Sequence, residues 1–145
     1  MGNPNNIFTD KESFRTIDQR RLVYLFISIF AFVITEVGRD IYRPFIYAND
    51  INDMGIADSI GNLGGIFVQI FLALAILNSP LKKGIRLILF FTIGYIVYEF
   101  IQPILPRGVF DWNDILGTVI GGFLGMVLFL LINKIITKNN ILHRF

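Results

Sequence analysis

Four stretches of predominantly apolar residues divide the chain, and each is about as long as a helix that crosses a membrane. Such a helix needs roughly 20 residues, and the stretches predict helices at about 22–41, 58–79, 85–105 and 112–136. Hydrophobic residues make up 54% of the 145 residues and charged residues 17%, which is too apolar for an ordinary soluble domain. The sequence therefore predicts an all-α integral membrane protein with four transmembrane helices in a compact bundle.

The Lys and Arg residues are distributed unevenly between the two ends of these helices. Ten of the thirteen lie in the N-terminal segment, near the turn between the second and third helices, or in the C-terminal part, and only Arg39, Arg43 and Arg107 lie at the other end. The positive-inside rule then predicts that both termini are cytoplasmic. The expected domains are a polar cytoplasmic segment at 1–21, a membrane domain at 22–136 and a cytoplasmic tail at 137–145.

Two of the connections contain residues that are typical of loops and turns. Pro44, followed by Asn and Asp residues, predicts a loop at 42–57. Lys82, Lys83 and Gly84 predict a tight basic turn before the third helix.

Composition argues against several kinds of site. The chain has no Cys and therefore no disulfide framework or Cys-ligated metal. Its only His is His143, in the tail. The sequence also lacks the basic patch with interleaved aromatic residues that is typical of nucleic-acid binding. We therefore expect no metal, no cofactor and no nucleic-acid partner, and assign no catalytic residue.

Two carboxylates interrupt the apolar stretches, where an ionisable group is costly and is rarely without a function. At a rise of 1.5 Å per residue, Glu36 lies about 22 Å from a boundary at Arg21, and Glu99 lies about 20 Å from a boundary at Arg86. The hydrocarbon core is about 30 Å thick. Both carboxylates are therefore expected in its outer half, at similar depth.

Each predicted helix also carries one stripe of polar or small residues, because positions three or four apart share a face. Hydrocarbon cannot solvate these groups, so the stripes are expected to face one another and form a charge-bearing pocket that opens outward. The stripes are Glu36, Arg39, Asp40 and Arg43 on the first helix, Asp58, Asn62, Gly65 and Gln69 on the second, Thr92, Tyr95, Glu99 and Gln102 on the third, and Asp114, Thr118, Gly121 and Gly125 on the fourth.

Structural roles remain open for some of these residues. Asp111 and Asp114 stand at the N-cap and N3 positions of the fourth helix, and Asp58 is placed to cap the second. Glu36 can form an ion pair with a nearby Arg that only holds the bundle together. Glycines at every fourth position favour close helix packing; they are Gly117, Gly121 and Gly125.

The order and spacing of polar residues across the third and fourth helices resemble the signature of the VanZ-like family of small membrane proteins. The matching string is Glu99-x2-Gln102-x4-Arg107-x3-Asp111-x2-Asp114-x6-Gly121-x3-Gly125. Asp58-x3-Asn62 is similar to a second element of that family, although Asn62 stands where many members have His, and Thr118 where Asn is common. The resemblance covers about 58–130 and implies functional roles for Glu99, Gln102, Arg107, Asp111 and Asp114.

A pocket that pairs Arg with carboxylates suits a ligand with an apolar tail and a polar head. We therefore expect a multi-pass protein of a bacterial inner or plasma membrane that binds or handles an amphiphile, such as a lipid, a lipid-linked envelope precursor or a lipoglycopeptide, and so affects envelope properties or glycopeptide susceptibility. The expected pocket residues are Glu99, Gln102, Arg107, Asp111, Asp114, Asp58, Asn62, Glu36 and Arg39.

Three alternatives remain open at this point. The protein could be a membrane enzyme that acts on a lipid-linked phosphate, with acidic groups as general base or as ligands of a divalent metal. It could be a proton-coupled carrier in which Glu99 or Glu36 titrates, and four helices would then call for a homo-oligomer. It could also be an accessory subunit whose polar stripe docks a partner helix.

Overall fold

The computed structural model describes residues 19–106 and 108–142, the last six by their backbone alone. The described residues contain helices and no strand. The helices are α1 (Gln19–Val37), α2 (Arg43–Ala48), α3 (Ile56–Leu77), α4 (Leu81–Ile101) and α5 (Trp112–Leu142). Four helical segments are long and apolar enough to cross a membrane: Gln19–Ala48, Ile56–Leu77, Leu81–Ile104 and Trp112–Ile136. This confirms the predicted all-α class with four spans and indicates a multi-pass membrane protein.

The first span is longer than predicted, and the loop expected from position 42 is wrong in its first part. A π-helical turn, Gly38–Tyr42, joins α1 directly to α2, so the helix continues to Ala48. Pro44 does not end it, because the proline stands at the start of α2, where a missing N–H is tolerated. Asn49 closes the segment by donating its backbone N–H to the carbonyl of Phe45.

The predicted turn at Lys82-Lys83-Gly84 is also wrong, since these residues form the first turn of α4. Pro80 is the N-cap of this helix, with an extended backbone, and its carbonyl accepts the N–H of Gly84 at 2.9 Å. The connection to α3 is therefore short, and Asn78 begins it in the left-handed conformation that ends many helices. At the other end of the chain α5 runs past 136 to Leu142.

Helix α3 is the centre of the bundle and packs against both α1 and α5. Ile66, Ile70 and Leu74 of this helix are fully buried. Tyr24 of α1 lies beside them and reaches across to α5, where its hydroxyl accepts a hydrogen bond of 2.9 Å from Asn133 Nδ2. Many other large apolar side chains point outward. That pattern fits a protein whose surroundings are hydrocarbon.

Glycines on α5 allow its backbone to approach α3 closely, which confirms the packing role predicted for the glycine repeat. A Cβ at Gly117 would lie 2.7 Å from the carbonyl oxygen of Ser59, and one at Gly121 would lie 2.6 Å from that of Leu63. Because higher α5 numbers meet higher α3 numbers, the two helices run parallel. Helix α4 runs antiparallel to both. The end at which α1 with α2 and α4 finish and α3 and α5 begin is called the Glu99 end below.

Candidate ligand-binding site

Glu99 is buried two residues before the end of α4, with 1% of its surface exposed. Asn62 of α3 donates a hydrogen bond of 2.8 Å from Nδ2 to Glu99 Oε1. The sequence stripes on the second and third predicted helices therefore do face each other at this point, as expected. The other carboxylate oxygen, Oε2, has no hydrogen-bond partner among the described residues.

A second unpartnered polar atom belongs to Thr118 of α5. This residue is fully buried, and its hydroxyl also lacks a hydrogen-bond partner within the described part of the chain. Thr92 of α4 lies against Gly122 of α5. The two helices are antiparallel, so one turn before Gly122 on α5 lies level with one turn after Thr92 on α4. Thr118 is therefore level with position 96, which is less than one turn from Glu99. Two acceptors without donors are thus buried close to one level of the bundle.

Asp111 and Asp114 stand at the start of α5, at the same end. Asp111 Oδ1 accepts the backbone N–H of Asn113 at 2.9 Å, so Asp111 is the N-cap of the helix, and Asp114 lies at N3 as expected. Both carboxylates also interact electrostatically with Glu99. Capping by Asp111 and a part in the site are compatible, because a carboxylate has a second oxygen free to accept further donors.

Asp58 is held by two residues of α2 and does not cap α3. Tyr47 donates its hydroxyl proton to Asp58 Oδ1, and the Arg43 guanidinium lies 3.7 Å from the same oxygen. Arg43 also donates from Nε to the Tyr47 hydroxyl at 3.1 Å. The same guanidinium interacts electrostatically with Asp114. Arg43 therefore links the first span to the acidic residues of α3 and α5.

The side chain of Asp53, two residues before the N-cap residue Gly55, accepts the first N–H groups of α3, although Asp53 was not among the predicted residues. Its Oδ2 accepts the backbone N–H of Ala57 at 2.6 Å and the hydroxyl of Tyr42 at 3.2 Å. Its Oδ1 accepts the N–H of Gly55 at 3.1 Å. Gly55 has φ +82°, and its position beside the Asn113 side chain leaves no room for a Cβ. Asp53 thus ties the π turn Gly38–Tyr42 to the start of α3.

The remaining predicted pocket residues are not all brought together. Glu36 and Arg39 form an ion pair with each other at 3.3 Å, and their side chains are 39% and 54% exposed. Among the described residues, neither forms a hydrogen bond or an ion pair with Glu99. Gln102 lies in a short 3-10 turn, Gln102–Ile104, that continues α4, and it is half-buried. Arg107 lies outside the described residues.

The charge at the Glu99 end is strongly negative in the described part of the chain. Asp114 interacts electrostatically with Asp111 and Asp58, and Glu99 interacts with Asp111 and Asp114. Arg43 is the cation that acts on Asp58 and Asp114. These groups do not come close enough together to form a set of three or more potential metal ligands among the described residues.

An apolar groove runs between α1, α3 and α5, with a volume of about 340 Å³. It begins near Leu63, the residue after Asn62, and extends away from the Glu99 end toward Ile27 and Leu128. Thr35 contributes the one hydroxyl in its lining, and this hydroxyl already donates to the carbonyl of Ala31 at 2.7 Å. The groove therefore offers only apolar contacts to whatever fills it.

Comparison with known proteins finds no matching family model, no similar curated protein and no similar solved structure.

Proposed function

We propose that this chain binds an amphiphile whose polar head lies against Glu99 and whose hydrocarbon chain lies in the apolar groove. The observation that carries the proposal is the unpartnered Oε2 of Glu99 inside a membrane-spanning segment. A buried carboxylate oxygen without a donor is unfavourable. A bound head group that donates a hydrogen bond to this oxygen would offset the cost of burying it.

The groove supports the second half of the proposal. It starts beside Leu63, one residue after Asn62, and extends away from the Glu99 end, as the tail of a lipid with its head group at that end would. An apolar groove within a bilayer favours a hydrocarbon chain. A polar group that entered it would lose its hydrogen bonds and find no new partner.

The distribution of Lys and Arg bears on the side of the membrane at which the site lies. The positive-inside rule would place the Glu99 end on the outer side of a bacterial cell membrane. The resemblance to VanZ-like proteins would then assign the ligand to the cell envelope, as a lipid, a lipid-linked precursor or a lipoglycopeptide such as teicoplanin. Arg107 would contribute a positive charge for an anionic part of the head group.

Native mass spectrometry of the detergent-purified protein with extracted envelope lipids tests this function. Wild type is compared with Glu99→Gln, which keeps the shape of the side chain, and with Arg107→Ala. Glu36→Gln is the matched control, since it removes a carboxylate that is 39% exposed and paired with Arg39. We expect one defined amphiphile on wild type and Glu36→Gln that is lost from Glu99→Gln. Equal and unselective lipid adducts on all four proteins would refute the proposal.

One observation favours a proton-coupled carrier as a second candidate. The hydrogen-bond donor to Glu99 in the described residues is the neutral Asn62, and no cation forms an ion pair with it there. Such a carboxylate is able to take up and release a proton during transport. Proton flux into proteoliposomes that is present for wild type and absent for Glu99→Gln would favour this function, and flux that is equal for both would remove it.

A further inference from the structure

We infer that the site selects head groups that carry a primary ammonium. This inference rests on the proposed function and gives the chemical class of its ligand. The acidic residues alone would not justify it, because Asp111 and Asp114 stand at a helix start, where carboxylates are common for structural reasons. The second observation is the pair of buried, unpartnered acceptors, Glu99 Oε2 and Thr118 Oγ1.

The hydrogen-bonding capacity of these groups matches an ammonium ion. A carboxylate oxygen only accepts, and a primary ammonium offers three donors and no acceptor. Glu99 Oε1 is already occupied by Asn62. This leaves Glu99 Oε2 and the Thr118 hydroxyl oxygen for two of the three donors, and the half-buried Asp114 lies at the same end for the third.

The charge balance points in the same direction. Four carboxylates interact at the Glu99 end, and the guanidinium of Arg43 is already shared between Asp58 and the Tyr47 hydroxyl. In the low dielectric of a membrane protein, like charges that interact destabilise each other unless a positive charge joins them. A bound ammonium supplies that charge and forms charge-assisted hydrogen bonds, which are about twice as strong as neutral ones.

Geometry also separates a primary ammonium from a methylated one. A trimethylammonium group has no N–H, so it would leave both buried oxygens without donors. A glycerol head group has hydroxyl donors but no positive charge. Three lysophospholipids with the same acyl chain therefore distinguish the possibilities, since their head groups are ethanolamine, choline and glycerol.

The experiment titrates the purified full-length protein in detergent with these three lysolipids. Trp112 is the only tryptophan of the chain and directly follows Asp111, so its fluorescence reports on the Glu99 end. We expect the ethanolamine lipid to bind about tenfold more tightly than the choline and glycerol lipids, as the loss of a charge-assisted hydrogen bond predicts. Glu99→Gln should abolish the preference, and Glu36→Gln should retain it.

Each other outcome has a distinct meaning. If all three lipids bind equally well and all are weakened by Glu99→Gln, the amine preference is wrong and the proposed function stands. If none binds in a Glu99-dependent manner, both are wrong. Free phosphoethanolamine, which has the head group without the acyl chain, forms a last arm. If it binds as tightly as the ethanolamine lipid, the ammonium site is correct and the amphiphile is not its ligand.

Discussion

Asn62 on α3 and Glu99 on α4 form a buried hydrogen bond of 2.8 Å across the bundle, at the level where one carboxylate oxygen and one threonine hydroxyl remain without partners. The amide orients the carboxylate through Oε1 and leaves Oε2 for another donor. The amide belongs to α3, the helix that packs against both α1 and α5. The most buried ionisable group of the described chain is thus fixed by the best-packed helix.

A double-mutant cycle on this pair should show strong coupling. Asn62→Leu removes the donor to Glu99 and leaves both carboxylate oxygens buried without partners, which should cost about 1–3 kcal/mol. In a Glu99→Leu background the same change should cost much less, because no charge is left to desolvate. Unfolding in mixed micelles of mild detergent and SDS measures the four free energies. Additive effects of the two substitutions would show that the hydrogen bond does not form.

The close approach of α5 to α3 predicts a contrast between two Gly→Ala substitutions. Gly121→Ala places a methyl group 2.6 Å from the Leu63 carbonyl oxygen, so the helices must move apart, at a cost of about 1–3 kcal/mol. Gly61→Ala meets no atom within 4 Å and should be neutral or stabilising by up to about 1 kcal/mol. Melting temperatures in one detergent test this contrast. Equal melting temperatures would contradict the packing described for α5.

Asp53 should contribute more to stability than its position in a loop suggests. Asp53→Ala removes the acceptor of two backbone N–H groups at the start of α3 and of the Tyr42 hydroxyl, and it should cost about 1–2 kcal/mol. Asn52→Ala is the matched control, since it removes a single exposed hydrogen bond to the N–H of Met54. Thermal unfolding should rank Asp53→Ala clearly below Asn52→Ala. The reverse order would contradict the capping role.

The number of spans and the meeting of Asn62 with Glu99 were predictable from the sequence, because both follow from apolar length and helical periodicity. The side of the helix on which the residues after Gly38 lie could not be predicted. The π turn Gly38–Tyr42 adds a residue to one helical turn and shifts the phase of all that follows. Arg43, which follows the turn, reaches Asp58, whereas Glu36 lies before the turn and pairs with Arg39. A periodic pattern assumes one helix type and cannot show this shift.

The cap of α3 shows a different limit of sequence reasoning. Asp58 lies at the edge of an apolar stretch and so resembled a cap, whereas the helix begins two residues earlier, at Ile56. The sequence Asp53-Met54-Gly55 held the signal, since Asp followed two residues later by Gly is typical of a turn that leads into a helix. The unpartnered Thr118 hydroxyl, by contrast, depends on the register between α4 and α5, which no local pattern determines.

Thr118→Val distinguishes a ligand-binding role of this residue from a structural one. The substitution removes a buried hydroxyl that has no partner, so the free energy of unfolding without ligand should stay within about 1 kcal/mol of wild type or rise. Binding of the ethanolamine lysolipid, however, should weaken, because one acceptor of the ammonium is lost. Thr118→Ser keeps the hydroxyl and should restore most of the affinity. Thr92→Val serves as a control on α4, since the Thr92 hydroxyl already donates to the carbonyl of Ile88 at 2.8 Å. If Thr118→Val destabilises the protein and leaves binding unchanged, the hydroxyl has a structural partner and no part in recognition.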